Sequence, residues 1–158
     1  MKTIPFLSLL LLSTLLYSCI TPNRSKNINY KKNNPNEALL NTVQKQTFQY
    51  FWEGAEPISG LARERIHIDG VYPENDENVI TIGGSGFGLM SILIAIHNGY
   101  INKNEGLNHI KRSLNFLDTI PRFHGAWSHW YYADTGKPKA FSKNDDGGDL
   151  VETAFMAQ

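Results

Sequence analysis

The sequence has 158 residues, of which 41% are hydrophobic and 19% charged, and its 15 basic and 15 acidic side chains give a formal net charge of zero. This composition is typical of a globular protein with one hydrophobic core. It excludes collagen-like, wholly disordered and multi-span membrane chains. Because there is no basic excess, nucleic acid is not expected as a partner.

The first 18 residues have the pattern of an export signal. Lys2 supplies a positive start, and ten of the fourteen residues from Ile4 to Tyr17 are apolar. This run is too short to cross a bilayer, which needs a helix of about 20 residues. It ends in LYSC at residues 16–19, which resembles the lipobox of bacterial lipoproteins. We therefore predict a signal peptide at 1–18, lipidation of Cys19, and anchoring to a bacterial membrane, on the periplasmic or surface side of the outer membrane.

An ordinary secretory signal cleaved near a cysteine is the alternative. Cys19 is the only cysteine in the sequence, and acylation would explain one unpaired cysteine in an exported chain. The rest of the chain is therefore expected to have no disulfide, no cysteine nucleophile and no thiolate metal site.

Residues 19–36 are predicted to form a flexible basic tether. From residue 20 they include six Asn, two Pro and four basic residues without an acidic one, and such a segment cannot bury enough apolar surface to order itself. The basic charge favours either contact with anionic lipid headgroups or simple solubility. From Glu37 onward the sequence has ten basic and fifteen acidic residues, so the globular part, residues 37–158, is acidic.

Hydrophobic periodicity predicts helices through this part. The first is capped by Asn36 and carries one apolar stripe as far as Trp52. The second, Ser85–Asn98, is apolar nearly all round, so we expect it to be buried on most sides, with His97 in the core and Gly99 ending the helix.

A third, amphipathic helix begins with a capping box of Asn102 and Glu105 and ends before Pro121. A fourth begins near Asp149. The order is outer, inner, outer, inner, as in a barrel of paired helices. Gly-rich steps precede both inner helices, and the free N–H groups of their first turns would line one mouth of such a barrel.

Aromatic and polar residues are concentrated between residues 122 and 152. A turn at 133–136 predicts a short hairpin in this long loop. Exposed aromatic faces beside polar groups suit stacking against sugar rings, whereas any single ring could equally belong to the core. The candidate substrate-binding residues of this segment are Trp127, His129, Trp130 and Tyr131.

Three carboxylates that follow, Asp145, Asp149 and Glu152, are the candidate catalytic residues. Glycoside hydrolysis needs two carboxyl groups, one acting as an acid and the other as a base or nucleophile. Asp149 and Glu152 are also spaced as a capping box, so a structural role remains open. Neither the glycine offsets nor the histidine spacing suits a metal site, and no metal or cofactor is expected.

Two basic or glycine-rich motifs have alternative interpretations. Residues 79–87 nearly match the strand-turn-helix of a serine hydrolase with Ser85 as nucleophile, but Phe87 replaces the final Gly and no acid and histidine partners can be assigned. The glycines do not form a phosphate loop, because no Lys-Ser/Thr follows them. Ser85 stays a candidate substrate-binding residue. Arg63 could bind a sugar hydroxyl, contact the acidic cleft or form a structural ion pair.

Residues 48–65, 79–96 and 122–158 resemble, in order, the N-terminal part of the bacterial glucoamylase-like family, whose best characterised group is glycoside hydrolase family 144. The motifs GLARER, TIGGSGFG and DDGGDLVET carry the resemblance. It implies an all-α, incomplete (α/α)6 barrel that hydrolyses β-1,2-linked glucan with inversion. By motif, the family's acidic cleft residues correspond to Asp145, Asp149 and Glu152, and its substrate-side ring to Trp127, His129 and Trp130.

The alternative function is a non-catalytic glycan-binding lipoprotein that keeps the aromatic residues. Turnover of glucan would exclude it. Because the family's domain is several times longer, its other inner helices and any acid or base on them are expected to lie beyond Gln158. The chain expressed as printed is therefore expected to be inactive and, through exposed apolar flanks at 92–96, prone to aggregation.

Overall fold

The computed structural model describes residues 36–158; the predicted signal peptide, Cys19 and the tether as far as residue 35 lie outside the described residues. The described part is mostly helical with one small antiparallel sheet. In chain order its elements are α1 (Glu37–Trp52), β1 (Val79–Thr81), α2 (Ile82–His97), α3 (Lys103–Thr119), β2 (Trp130–Tyr132), β3 (Pro138–Lys139) and α4 (Leu150–Ala157). None of these helices is both long and apolar enough to cross a membrane.

The central helix is α2, which packs against α1, α3 and α4. Its glycines allow this close packing because they carry no side chain. A Cβ added at Gly86 would lie 2.1 Å from the carbonyl oxygen of Phe155 in α4, and one at Gly88 would lie 2.9 Å from the ring of Phe51 in α1. The predicted arrangement, in which two inner helices are flanked by outer ones, is confirmed for the described residues.

Two of the predicted helix ends are confirmed and one start is wrong. Asn102 forms its capping box with Glu105, and Gly99, with a φ of +70°, follows the end of α2. However, α2 begins at Ile82 rather than Ser85, because Thr81 is extended and the chain becomes helical at once. The Gly-Gly step that was predicted to precede α2 therefore lies inside its first turn.

Burial follows the predicted stripes only in part. In α2, Ile92 and Ala95 are buried, but four apolar side chains are exposed, and we call them the α2 apolar stripe: Phe87, Met90, Leu93 and Ile94. His97 is exposed, so its prediction as a core histidine is wrong. It follows Ile94 by three residues and Leu93 by four, which places it on the same exposed face.

In α1 only Phe48 is buried, and the exposed N-terminal apolar residues are Leu39, Leu40 and Val43.

The predicted hairpin is confirmed as β2 and β3, in which Tyr131 pairs with Pro138. The sheet has a third strand, β1, which pairs with β2 so that Ile80 lies opposite Tyr131. These strands enclose one core cluster, whose buried members are Leu61, Ile80, Ile82, Leu117, Ile120, Tyr131 and Ala133. Because β1 runs directly into α2, the sheet fixes the position of the first turn of α2.

Candidate active site

The first turns of α2 and α4 meet through the carboxylate of Glu152. Its Oε2 accepts hydrogen bonds from the backbone N–H of Gly83 at 2.7 Å and from the hydroxyl of Thr81 at 3.3 Å. A Cβ at Gly83 would lie 2.7 Å from the same oxygen, so a side chain there would displace the carboxylate. Glu152 thus binds one free N–H group at the start of α2, that of Gly83, where a negative charge is favoured. This contact confirms that both inner helices begin at one mouth.

Asp149 is the N-cap of α4 and also faces the mouth. Its Oδ1 accepts hydrogen bonds from the backbone N–H groups of Val151 at 2.9 Å and Glu152 at 3.0 Å. Its Oδ2 lies 2.9 Å from Nδ1 of His129. The predicted capping by Asp149 is confirmed, but the box is not reciprocal, because its backbone N–H donates to the carbonyl of Trp127 at 2.7 Å. Oδ1 therefore caps α4, while Oδ2 is bonded to His129 at the mouth.

The electrostatics of Asp149 favour its charged form. Burial by itself raises the pKa of this carboxyl, but hydrogen bonds from the backbone of Glu152 and Val151 and from His129 outweigh burial and hold the pKa below its ordinary value. These hydrogen bonds therefore favour the carboxylate form of Asp149 near neutral pH.

His129 joins the two carboxylates of α4. Besides its hydrogen bond to Asp149, its Nε2 lies 3.9 Å from Oε1 of Glu152. Its ring stacks on Phe141 with centroids 4.3 Å apart and an angle of 26° between the planes. One ring face and Nδ1 are thus used within the protein, so His129 orients the acidic groups. Its predicted substrate contact stays a prediction.

Asp145 lies in the loop before α4, where its backbone N–H donates to the carbonyl of Ser142 at 3.1 Å. One nitrogen of His129 and one carboxylate oxygen each of Asp145 and Asp149 lie within 4.8 Å of one another. The structure therefore brings all the predicted catalytic residues to one mouth. The sequence spacing did not predict that these three residues lie close enough to share a metal ion. Proximity alone does not define a metal site.

The aromatic candidates have different positions. Tyr131 is fully buried, and its hydroxyl donates to the carbonyl of Pro121 at 2.7 Å and accepts from the backbone N–H of Ser128 at 2.8 Å. Its prediction as a substrate-binding residue is wrong, because side chains alternate along β2 and Tyr131 points to the core face. Trp130, its neighbour, is half-buried beside His129.

Trp127 is half-buried and packs against the core cluster of the sheet. The guanidinium of Arg122 lies over its ring, 4.5 Å from the centroid. Its backbone N–H donates to the hydroxyl of Thr153 in α4 at 2.9 Å. Trp127 therefore links the loop to α4, and substrate contact by Trp127 and Trp130 stays a prediction.

Ser85 and Arg63 both form structural hydrogen bonds; those of Ser85 correct its prediction, whereas sugar binding by Arg63 stays a prediction. Ser85 is 1% exposed, and its hydroxyl donates to the carbonyl of Thr81 and accepts from the backbone N–H of Ala62 at 2.9 Å. It cannot reach a substrate as a ligand or a nucleophile, so the serine hydrolase hypothesis fails. The guanidinium of Arg63 donates to three backbone carbonyls, those of Gly54, Ala55 and Glu77, instead of forming an ion pair or contacting the acidic cluster.

Two residues of the site were not predicted. Thr81 holds Glu152, and its position immediately before the glycines of the TIGGSGFG motif was the available signal. Phe141 is half exposed and stacks on His129. Its sequence signal was only membership of the aromatic loop, because nothing in the spacing shows which ring lies beside the histidine.

Comparisons with known proteins show what the chain is similar to. No protein-family model matches the chain. The chain is similar to an exo β-1,2-glucooligosaccharide sophorohydrolase (non-reducing end) of Parabacteroides distasonis, with 46% identity over 123 residues, which are 77% of this chain and 16% of the relative.

Two solved structures are similar as well. The endo-β-1,2-glucanase of Chitinophaga pinensis, in complex with sophorotriose and glucose, is 56% identical with a TM-score of 0.74, and the match covers 78% of this chain and 30% of that one. The β-1,2-glucanase of Parabacteroides distasonis is 45% identical with a TM-score of 0.69, over 78% of this chain and 17% of that one. The chain therefore spans less than a third of the length of these relatives.

Paired helices whose first turns meet are the arrangement of an incomplete (α/α) barrel, an all-α class of fold. Within this class, residues 36–158 correspond in sequence and fold to a portion of the bacterial glucoamylase-like family, glycoside hydrolase family 144. The resemblance carried by the three motifs is thus confirmed.

Proposed function

We propose that the full-length protein encoded by this gene hydrolyses β-1,2-linked glucan with inversion at the anomeric carbon. The observation that carries the proposal is the joint fixation of Asp149 and Glu152 around His129 at the mouth between α2 and α4. The substrate follows from the relatives, which are named as a sophorohydrolase and as β-1,2-glucanases. The same relatives favour an enzyme over a non-catalytic glycan-binding lipoprotein.

The geometry restricts the roles of the carboxylates. Inverting hydrolysis needs an acid and a base about 6.5–9.5 Å apart, with room for a water between base and sugar. The nearest oxygens of Asp145 and Asp149 are within 4.8 Å, which is closer than this separation, so these two do not form an inverting acid–base pair with each other. Since the carboxylate form of Asp149 is favoured, we assign it to the side that activates water or stabilises positive charge on the sugar. The proton donor is then a different carboxyl group.

Conservative substitutions test these roles. Asp149→Asn removes the charge but keeps a good N-cap, and Glu152→Gln removes the charge that faces the start of α2. We expect either change to lower the release of reducing ends from β-1,2-glucan by about 100-fold or more, with little change in the melting temperature. Asp146→Asn, an exposed carboxylate of the same loop, is the matched control and should keep full activity. Undiminished release by both variants would remove these residues from catalysis.

We also propose that the protein is exported and lipid-anchored through Cys19, on the periplasmic or surface side of the outer membrane. The support is the residue pattern of the first 19 positions together with the single cysteine. Cys19→Ser should move the protein from the membrane fraction to the soluble fraction. Retention of the variant in the membrane fraction would contradict the anchor.

A further inference from the structure

Phe141 has an exposed aromatic face beside the acidic cluster. The residue is 50% exposed although one face of its ring is covered by the imidazole of His129. The ring of Trp130 is tilted against it at a centroid distance of 4.9 Å. The centroids of His129 and Trp130 are themselves 5.3 Å apart, so Trp130 lies at the side of Phe141 that adjoins His129, and neither ring covers the opposite face of Phe141.

The position of this ring is fixed relative to both aspartates. The backbone N–H of Phe141 donates to the carbonyl of Asp145 at 2.9 Å, and the histidine under the ring is hydrogen-bonded to Asp149. His129 and the carboxylates near its nitrogens lie on the covered side of the ring, so a sugar stacked on the open face would occupy the position adjoining the acidic cluster. A pyranose ring offers C–H groups on its flat face, which suits an aromatic surface.

Three other aromatic rings are less suited to this contact. Tyr131 is buried, and the ring of Trp130 has the ammonium of Lys139 5.3 Å from its centroid. Phe87 is also exposed, but it belongs to the α2 apolar stripe and packs against Phe155.

We propose that Phe141 is a sugar-stacking residue that helps to set the affinity for the oligosaccharide next to the carboxylates. This inference rests on the proposed function and adds a substrate contact to it.

Two substitutions in the full-length protein test the proposal. Phe141→Leu keeps apolar bulk above His129 but removes the aromatic face, whereas Phe141→Tyr keeps the face. With β-1,2-linked gluco-oligosaccharides we expect the Leu variant to raise KM roughly 3- to 10-fold, with kcat within about twofold. The Tyr variant should restore the wild-type KM.

An unchanged KM in Phe141→Leu would overturn the proposal. A fall in kcat with a shifted pH profile and an unchanged KM would also overturn it, because Phe141 would then only support His129.

A binding measurement separates this inference from the proposed function. If the wild-type protein does not cleave β-1,2-glucan, the proposed function fails. Calorimetric titration with sophorotriose then measures whether Phe141 contributes to binding of the sugar. Weaker binding by Phe141→Leu than by the wild type would still support the sugar contact, and equal or absent binding in both would reject it.

Discussion

His109 lies on the buried face of α3, where its Nε2 donates to the carbonyl of Gly60 at 2.6 Å and its Nδ1 accepts from Arg112 at 3.2 Å. Its ring stacks on Trp52 with centroids 5.0 Å apart. Burial lowers the pKa of His109; the hydrogen bond to Gly60 opposes this effect, and the charge of Arg112 adds to it. Folding therefore favours the neutral imidazole of His109.

This lowered pKa predicts a loss of stability in acid. As the pH falls through about 6.5, the unfolded chain binds a proton at this histidine before the folded chain does, so the free energy of unfolding decreases. We expect the urea midpoint of the full-length protein to fall between pH 7.5 and 5.5, and to fall less in His109→Gln. His97→Gln changes an exposed histidine and should keep the wild-type pH slope. Equal slopes in all three proteins would show that His109 does not contribute.

At the scale of single residues, the sequence predicted which carboxylates lie at the site better than it predicted which side chains are exposed to solvent. Asp149 and Glu152 were recognised because carboxylates at that spacing start a helix together. By contrast, Ser85 and Tyr131 carry groups that could bind a sugar, yet both hydroxyls are satisfied by backbone groups distant in the chain. Such burial depends on tertiary contacts, which no local pattern records.

At the scale of elements, periodicity located all four described helices but misplaced the start of α2. Glycines are poor helix formers, each costing about 1 kcal/mol relative to Ala, which is why the Gly-Gly step was predicted to lie outside the helix. Contacts from another element decide otherwise, since the carboxylate of Glu152 lies against Gly83 and the backbone of α4 against Gly86.

Gly86→Ala distinguishes helix propensity from packing. Propensity alone predicts that Ala stabilises α2 by about 1 kcal/mol. We expect the opposite, a loss of roughly 1–3 kcal/mol in the free energy of unfolding, because the new Cβ would lie 2.1 Å from the carbonyl oxygen of Phe155. In the control Gly147→Ala, the new Cβ would be 3.7 Å from the ring of Phe123, an ordinary contact. Stabilisation by Gly86→Ala would mean that α2 and α4 do not pack this closely.

At the scale of the whole molecule, the sequence specified an acidic body with alternating outer and inner helices, and the described residues have that arrangement. The expected exposure at 92–96 is confirmed for Leu93 and Ile94 and wrong for Ile92 and Ala95, which face α1 and the core. The α2 apolar stripe is the kind of surface that promotes association. We therefore still expect residues 1–158, expressed alone, to aggregate through this surface. Inactivity of the same chain also stays a prediction.

The anomeric form of the first product tests the central claim most directly. Inverting hydrolysis of a β-1,2 bond releases the α-anomer, whereas a covalent intermediate on an enzyme carboxylate would give the β-anomer. Proton NMR spectra recorded as the full-length protein is mixed with β-1,2-glucan should show α-anomeric reducing ends first, with β-anomers forming later by mutarotation. The initial appearance of the β-anomer would contradict inversion, and the absence of any new reducing end would contradict the proposed function itself.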